Sequence, residues 1–177
     1  MACPDAYPLP SHPRFSIPCP TDLVLHSATH LFHEGEWEHG LRDLADLDAL
    51  LRTYGQDAGF WETLLQRASR LGLGRPLFYA LRYSQHLLTT PLPETVLLDC
   101  PACPAVWRAK AMDLLFLPAF GTAHGSCRTA FSGVAAFGLY VRSHWLRMPA
   151  SLLLPHLARK FWLDHLPEWT RDEPATE

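Results

Sequence analysis

Apolar residues recur at helical spacing through most of this chain. In PTDLVLHSATHLFH, the residues Val24, Leu25, Ala28, Leu31 and Phe32 fall on one side at about 100° per residue, the helical period. The spacing predicts a helix from Asp22 to about Glu34, with Thr21 as N-cap after Pro20 and a break at Gly35. A second helix is expected from about Trp37 to Tyr54. Its stripe is Leu44, Leu47 and Leu51, widened by Leu50 and Tyr54, and Gly55 ends it. A third starts near Asp57, carries Trp61, Leu64, Leu65, Ala68 and Leu71, and stops at Gly72. A fourth starts near Pro76, a good first-turn residue, and carries Leu77, Ala80, Leu81, Ser84 and Leu88 until TTPLP terminates it.

The second half is less regular. ETVLLDCPACP reads as a short helix followed by a turn, or as neither. Residues 105–117 predict a helix closed by Pro118. Residues 128–147 predict a long one, weakened by Gly133 and Gly138. Residues 150–165 predict the last, with a kink at Pro155. No run alternates apolar and polar residues over strand length, and no Asn-Gly or Asp-Gly hairpin signal occurs. Prolines at 4, 8, 10, 13, 18 and 20 disfavour helix at the start of the chain. The expected fold is all-α: a compact bundle of seven or eight helices behind an extended Pro-rich arm. The expected divisions are an arm or linker over 1–20, a helical domain over 21–167 and a fraying tail over 168–177.

Composition narrows the function classes. Apolar residues make up 48% of the 177, enough to bury a core. A net charge of −3 gives no electrostatic case for nucleic acid. The longest apolar stretch, AFSGVAAFGLYV, falls short of the ~20 residues that span a bilayer, so no membrane partner is expected. Five scattered cysteines make a poor disulfide framework, and a reducing, cytoplasmic setting is the expectation.

Candidate chemistry concentrates in LHSATHLFHEGEWEHGLRDLADLDALL. His26, His30 and His33 lie within ~60° of one another on the helical wheel, opposite the apolar stripe. They form a polar ridge that faces solvent, another domain or a partner. A metal reading lacks the zincin pattern, since Ser27 follows His26 and Leu31 follows His30; further ligands would have to come from Asp43 or Asp46. Asp46 and Asp48 resemble a magnesium pair only on a strand, because on a helix they diverge by ~200°. Asp43 and Asp46 do share a face. Ion pairs four apart, Arg42 with Asp46 and Asp48 with Arg52, are the plain surface account.

Two further stretches carry reactive residues. Cys100, Cys103, His124 and Cys127 have the residue types of a zinc site, without the glycine-rich turn that usually accompanies one; buried or incidental cysteines are the simpler reading. In YVRSHWLRMP, residues Arg142, His144 and Arg147 read as basic residues near a helix C-terminus, or as a contact for an anion or an acidic partner. No phosphate loop and no nucleophile elbow is present.

The run PTDLVLHSATHLFHEGEWEHGLRDLADLDALL resembles the C-terminal helical region of a bacterial family of nucleotidyltransferases, mostly uncharacterised. The resemblance continues through WETLLQRASRLGLGRPLFYALRYSQHLL and extends toward YVRSHWLRMPASLLLPHLARK. In that family a polymerase-β-like α/β domain precedes the helices and supplies an Asp-x-Asp strand that binds magnesium and the nucleotide. The resemblance therefore implies a helical accessory domain lacking that catalytic domain. No catalytic or metal-binding residue is assigned to this chain. Magnesium and nucleotide enter only if an α/β domain is supplied. That domain, or another protein, is the implied partner. The alternatives are a stand-alone helical interaction module and, behind it, a small histidine-based metalloprotein. In the first reading His26, His30, His33, Arg42, Asp43 and Asp46 face the absent domain's nucleotide cleft.

Overall fold

A computed structural model describes residues 6–9, 12–33, 37, 39–121, 125–127, 129, 131–149, 151–152 and 155. Among the described residues, two strands, β1 (Ala6–Leu9) and β2 (His12–Pro18), precede six α-helices whose bounds are resolved: α1 (Pro20–His33), α2 (Gly40–Tyr54), α3 (Phe60–Leu71), α4 (Gly74–Leu88), α5 (Val106–Phe120) and α6 (Ser132–Arg147). Among the described residues, a 3-10 turn, Gly125–Cys127, lies between α5 and α6. The all-α class holds.

The arm is extended, as its prolines require, but it is also paired. β1 and β2 form an antiparallel hairpin in which Ala6 opposes Pro18 and Tyr7 opposes Ile17, with a register irregularity between Pro8 and Leu9. This corrects the expectation of no strand. The turn uses no Asn-Gly or Asp-Gly, so the usual hairpin signal is missing.

α1 is the hub, packing against α2, α3, α4 and α6, while α5 pairs with α6. Its first residue is Pro20, so Thr21 is a buried residue inside the helix and not its cap. Proline at the first position costs nothing, because that N–H would lack an intrahelical partner anyway. All five expected stripe residues of α1 are buried, as are Leu44, Leu47 and Leu51 of α2 and Leu77, Ala80, Leu81 and Ser84 of α4. Three boundaries differ from expectation. α2 begins at Gly40, leaving Trp37 outside the helix with its ring buried. Leu71 is 47% exposed, because α3 ends there at the left-handed Gly72. α5 runs through Pro118 to Phe120. A proline so near the end removes one hydrogen bond without stopping the last turn. The helix expected over 150–165 and the boundary at 167 lie almost wholly outside the described residues.

The core centres on rings. Phe32 of α1 meets Phe116 of α5 at 5.2 Å between centroids, and Trp37 meets both Phe116 and Phe120 at 5.2 Å. Tyr79 and Tyr83 of α4 close the cluster from the other side. Such pairs contribute about 0.5–1.5 kcal/mol each beyond their burial. Ion pairs tie the periphery to this centre: Arg67 of α3 bonds Asp22 of α1, and Arg82 of α4 bonds Asp113 of α5. Among the described residues, no helix is long and apolar enough to cross a membrane.

Candidate functional site

The outer faces of α1 and α2 meet in a shallow groove of about 130 Å³, lined by His26, Ser27, His30, Asp43 and Asp46. Helical spacing builds it. Residues 26 and 30 are one turn apart on α1, and 43 and 46 are three apart on α2, so each pair projects from one face. His26 and His30 are exposed, with ring centroids 6.4 Å apart. Four of the six expected ridge residues are thus brought together. Arg42 is exposed on the same helix and, among the described residues, makes no ion pair with Asp46 or any other carboxylate. That corrects one of the two expected pairs; the other, Arg52 with Asp48, forms at 2.9 Å.

The two acids of DLD point apart. Asp46 lines the groove, whereas Asp48 is held by Arg52 and by the Thr90 hydroxyl. Asp46 and Asp48 of α2 therefore do not form a pair on one face. Among the described residues no group of three or more His, Cys, Asp or Glu side chains is placed to hold a metal ion.

The cysteines divide in the same way. Cys100 is buried, with its Sγ 3.4 Å from the Gly74 carbonyl oxygen. Burial, with a smaller push from Cys103, raises its thiol to about 12. A zinc ligand must be a thiolate, so Cys100 is poorly suited. Cys103 and Cys127 are exposed, and His124 lies outside the described residues.

His33, the third ridge residue, does not join the groove. It lies half-buried at the end of α1, beside α6. Burial first, then the charges of Arg142, Arg147 and Arg75, hold its imidazole below the ordinary value. Arg142 is partly buried; its Nη1 donates to the Phe32 carbonyl oxygen at 2.9 Å, and its guanidinium lies 5.6 Å from the Tyr79 ring centre and 5.5 Å from that of Phe116. His144 belongs elsewhere: its Nδ1 lies 2.9 Å from the Tyr140 carbonyl oxygen and its ring packs on Tyr140 at 4.2 Å. Arg75, in the first turn of α4, was not among the candidates. No spacing rule connects it to α6; only the packed fold does.

None of the curated proteins and none of the solved structures matches the chain. Residues 5–89 match the model of a family described as an uncharacterised nucleotidyltransferase. The matched span runs from β1 through α4, and so contains the whole α1–α2 groove, while α5 and α6 lie beyond it. Over residues 5–89, a little under half of its length, the chain is thus similar to the uncharacterised nucleotidyltransferase family.

Proposed function

We propose that this chain is a helical accessory unit of a nucleotidyltransferase-family protein, and that it performs no nucleotidyl transfer by itself. The observation that carries the reading is the groove of His26, His30, Asp43 and Asp46, which lies inside the family-matched span yet offers no metal pair. In this reading the groove, with Arg42 at its side, faces the nucleotide cleft of a separate α/β domain. That domain supplies Asp-x-Asp and magnesium. The histidines and Arg42 contribute donors and positive charge toward a bound nucleotide, and the setting is the cytoplasm of a bacterium. The test is calorimetric titration of nucleotide and magnesium into the chain alone and into the chain combined with a family α/β domain. Binding should need the combination. It should weaken in His30→Ala and Arg42→Ala; unchanged binding in both variants would refute the reading.

A second reading, a protein-interaction module, rests on a different observation. Val106, Trp107 and Leu114 of α5 and Val134, Phe137 and Trp145 of α6 are each more than 60% exposed. Apolar side chains so exposed on paired helices favour contact with another protein. Alanine at Trp107 and Phe137 separates the two readings: it abolishes partner capture in the second and leaves nucleotide binding by the combined protein intact in the first.

A further inference from the structure

CPAC, residues 100–103, lies between α4 and α5, beyond the family-matched span and apart from the α1–α2 groove. Its chemistry does not depend on the nucleotidyltransferase reading.

The four residues form a β-turn. The Cys103 N–H donates to the Cys100 carbonyl oxygen at 3.2 Å, and Ala102 holds φ at 57°, in the left-handed region. Proline second and a left-handed residue third is the pattern of a type II turn. The proline ring fixes φ at Pro101, so part of this turn is set before folding. Two contacts then hold it against the start of α4. The Cys100 Sγ lies 3.4 Å from the Gly74 carbonyl oxygen, and Pro101 sits so close to Gly74 that a Cβ there would collide with it.

This geometry decides what the two thiols can reach. A β-turn brings the Cα atoms of its first and fourth residues within about 7 Å. A disulfide spans Cα separations of roughly 4.4–6.8 Å. The turn thus supplies the separation that a bridge needs, and rotation about the side-chain bonds of Cys100 and Cys103 completes it. The pair is also asymmetric, with Cys103 exposed and Cys100 buried. An oxidant arriving from solvent meets Cys103. Cys100, three residues away, is the thiol that the turn places beside the product.

We infer that Cys100 and Cys103 form a reversible redox modification site, closed to a disulfide by small-molecule disulfides such as oxidised glutathione. The Cys103 thiolate attacks one sulfur of glutathione disulfide, and a glutathione thiolate leaves. The Cys100 thiol then gives up its proton and attacks the Cys103 Sγ, releasing the second glutathione. Two protein thiols become one disulfide, and one glutathione disulfide becomes two thiols that take up the two protons. Burial raises the Cys100 thiol and slows the second step. The turn offsets this by making that step intramolecular.

The test equilibrates the full chain with mixtures of oxidised and reduced glutathione, blocks the remaining thiols with N-ethylmaleimide and digests with trypsin. Cleavage after Arg82 and Arg108 places both cysteines in one peptide, residues 83–108, with no third cysteine. The expected product is that peptide two hydrogens lighter, carrying neither maleimide nor glutathione. It should accumulate as the mixture becomes more oxidising and disappear with dithiothreitol. At the same mixture, glutathione on Cys103 should be about tenfold more abundant in Cys100→Ser than in the parent, because the resolving thiol is gone. Cys103→Ser changes an exposed residue and should leave Cys100 unmodified in the folded chain. Circular dichroism checks that both variants keep their helices; if Cys100→Ser does not fold, the parent peptide decides alone. A parent peptide that carries glutathione on Cys103 beside a free Cys100 thiol overturns the inference. So does a disulfide joining Cys103 to a second copy of the chain, or equal glutathione occupancy in parent and Cys100→Ser.

Discussion

Arg82 grips Asp113 with both arms: Nε donates to Oδ1 at 3.0 Å and Nη2 to Oδ2 at 2.6 Å. The Tyr83 hydroxyl donates to the same Oδ1 at 2.9 Å, so two successive residues of α4 hold one carboxylate of α5. The Arg82 hydrogen bond, helped by that of Tyr83 and opposed by burial, keeps the Asp113 carboxyl below its ordinary value of 3.8. A depressed folded value stabilises the fold above the unfolded value, and the contribution is lost as pH falls through the folded one. Asp113→Asn should therefore cost about 1–2 kcal/mol at neutral pH, allowing for partial solvent screening. The gap between variant and parent should shrink below pH of about 4. Urea midpoints across a pH series check this; a gap that stays constant into acid would show that the charge on Asp113 is not what stabilises.

Gly74 and Gly133 should respond oppositely to alanine. A Cβ on Gly74 would lie 2.0 Å from the Pro101 carbonyl oxygen, a backbone atom that cannot swing aside, whereas a Cβ on Gly133 would meet nothing within 4 Å. Gly74→Ala should destabilise by about 2–4 kcal/mol, as overpacking does. Gly133→Ala, on an exposed face of α6, should stabilise by about 0.5–1 kcal/mol. Thermal unfolding of the two variants beside the parent decides it.

These two glycines also mark how far the sequence could be read. Positions whose role depends on local period were legible: the buried stripe of α1, the leucines of α2, and the stop at Gly72. Positions whose role depends on a distant segment were not. GLGRP contains the close approach of Gly74 to Pro101, which has no signature in the residues around it. Trp37 reads as the start of a helix because it is followed by good helix formers, yet its ring is drawn into the cluster of Phe116 and Phe120. The candidate groove was legible for the same reason as the stripes: His26 and His30, like Asp43 and Asp46, are local pairs on single helices. The placement of His33 was not, since the wheel groups it with His26 and His30 while α6 approaches only the end of the helix.

Arg67 and Asp22 supply a separable test of helix docking. Both guanidinium contacts, at 2.8 and 2.9 Å, reach from α3 to the first turn of α1. The pair is partly exposed, so a double-mutant cycle with Asp22→Asn and Arg67→Gln should give a coupling of about 1 kcal/mol. A coupling near zero would mean that α3 docks through Leu64 and Ala68 alone.

The cysteines should react in two classes. Cys103 and Cys127 are exposed and should alkylate readily near pH 8, while Cys19 and Cys100 are buried and should stay protected until the chain unfolds. Cys100, with its thiol raised to about 12, should be the slower of the reactive-type CPAC pair by a wide margin. Peptide-resolved mass spectrometry after brief iodoacetamide treatment reads each site. Equal labelling of Cys100 and Cys103 in the native protein would contradict the packing of Cys100 beneath Gly74.

Phe32 faces two ways. Its ring is shared among Trp37, Tyr79, Tyr83, Phe116 and Phe120, and its backbone oxygen holds the guanidinium of Arg142. Interior and rim are thus fastened by one residue. A truncated ring at position 32 would let the end of α1 settle inward and would carry the arginine with it.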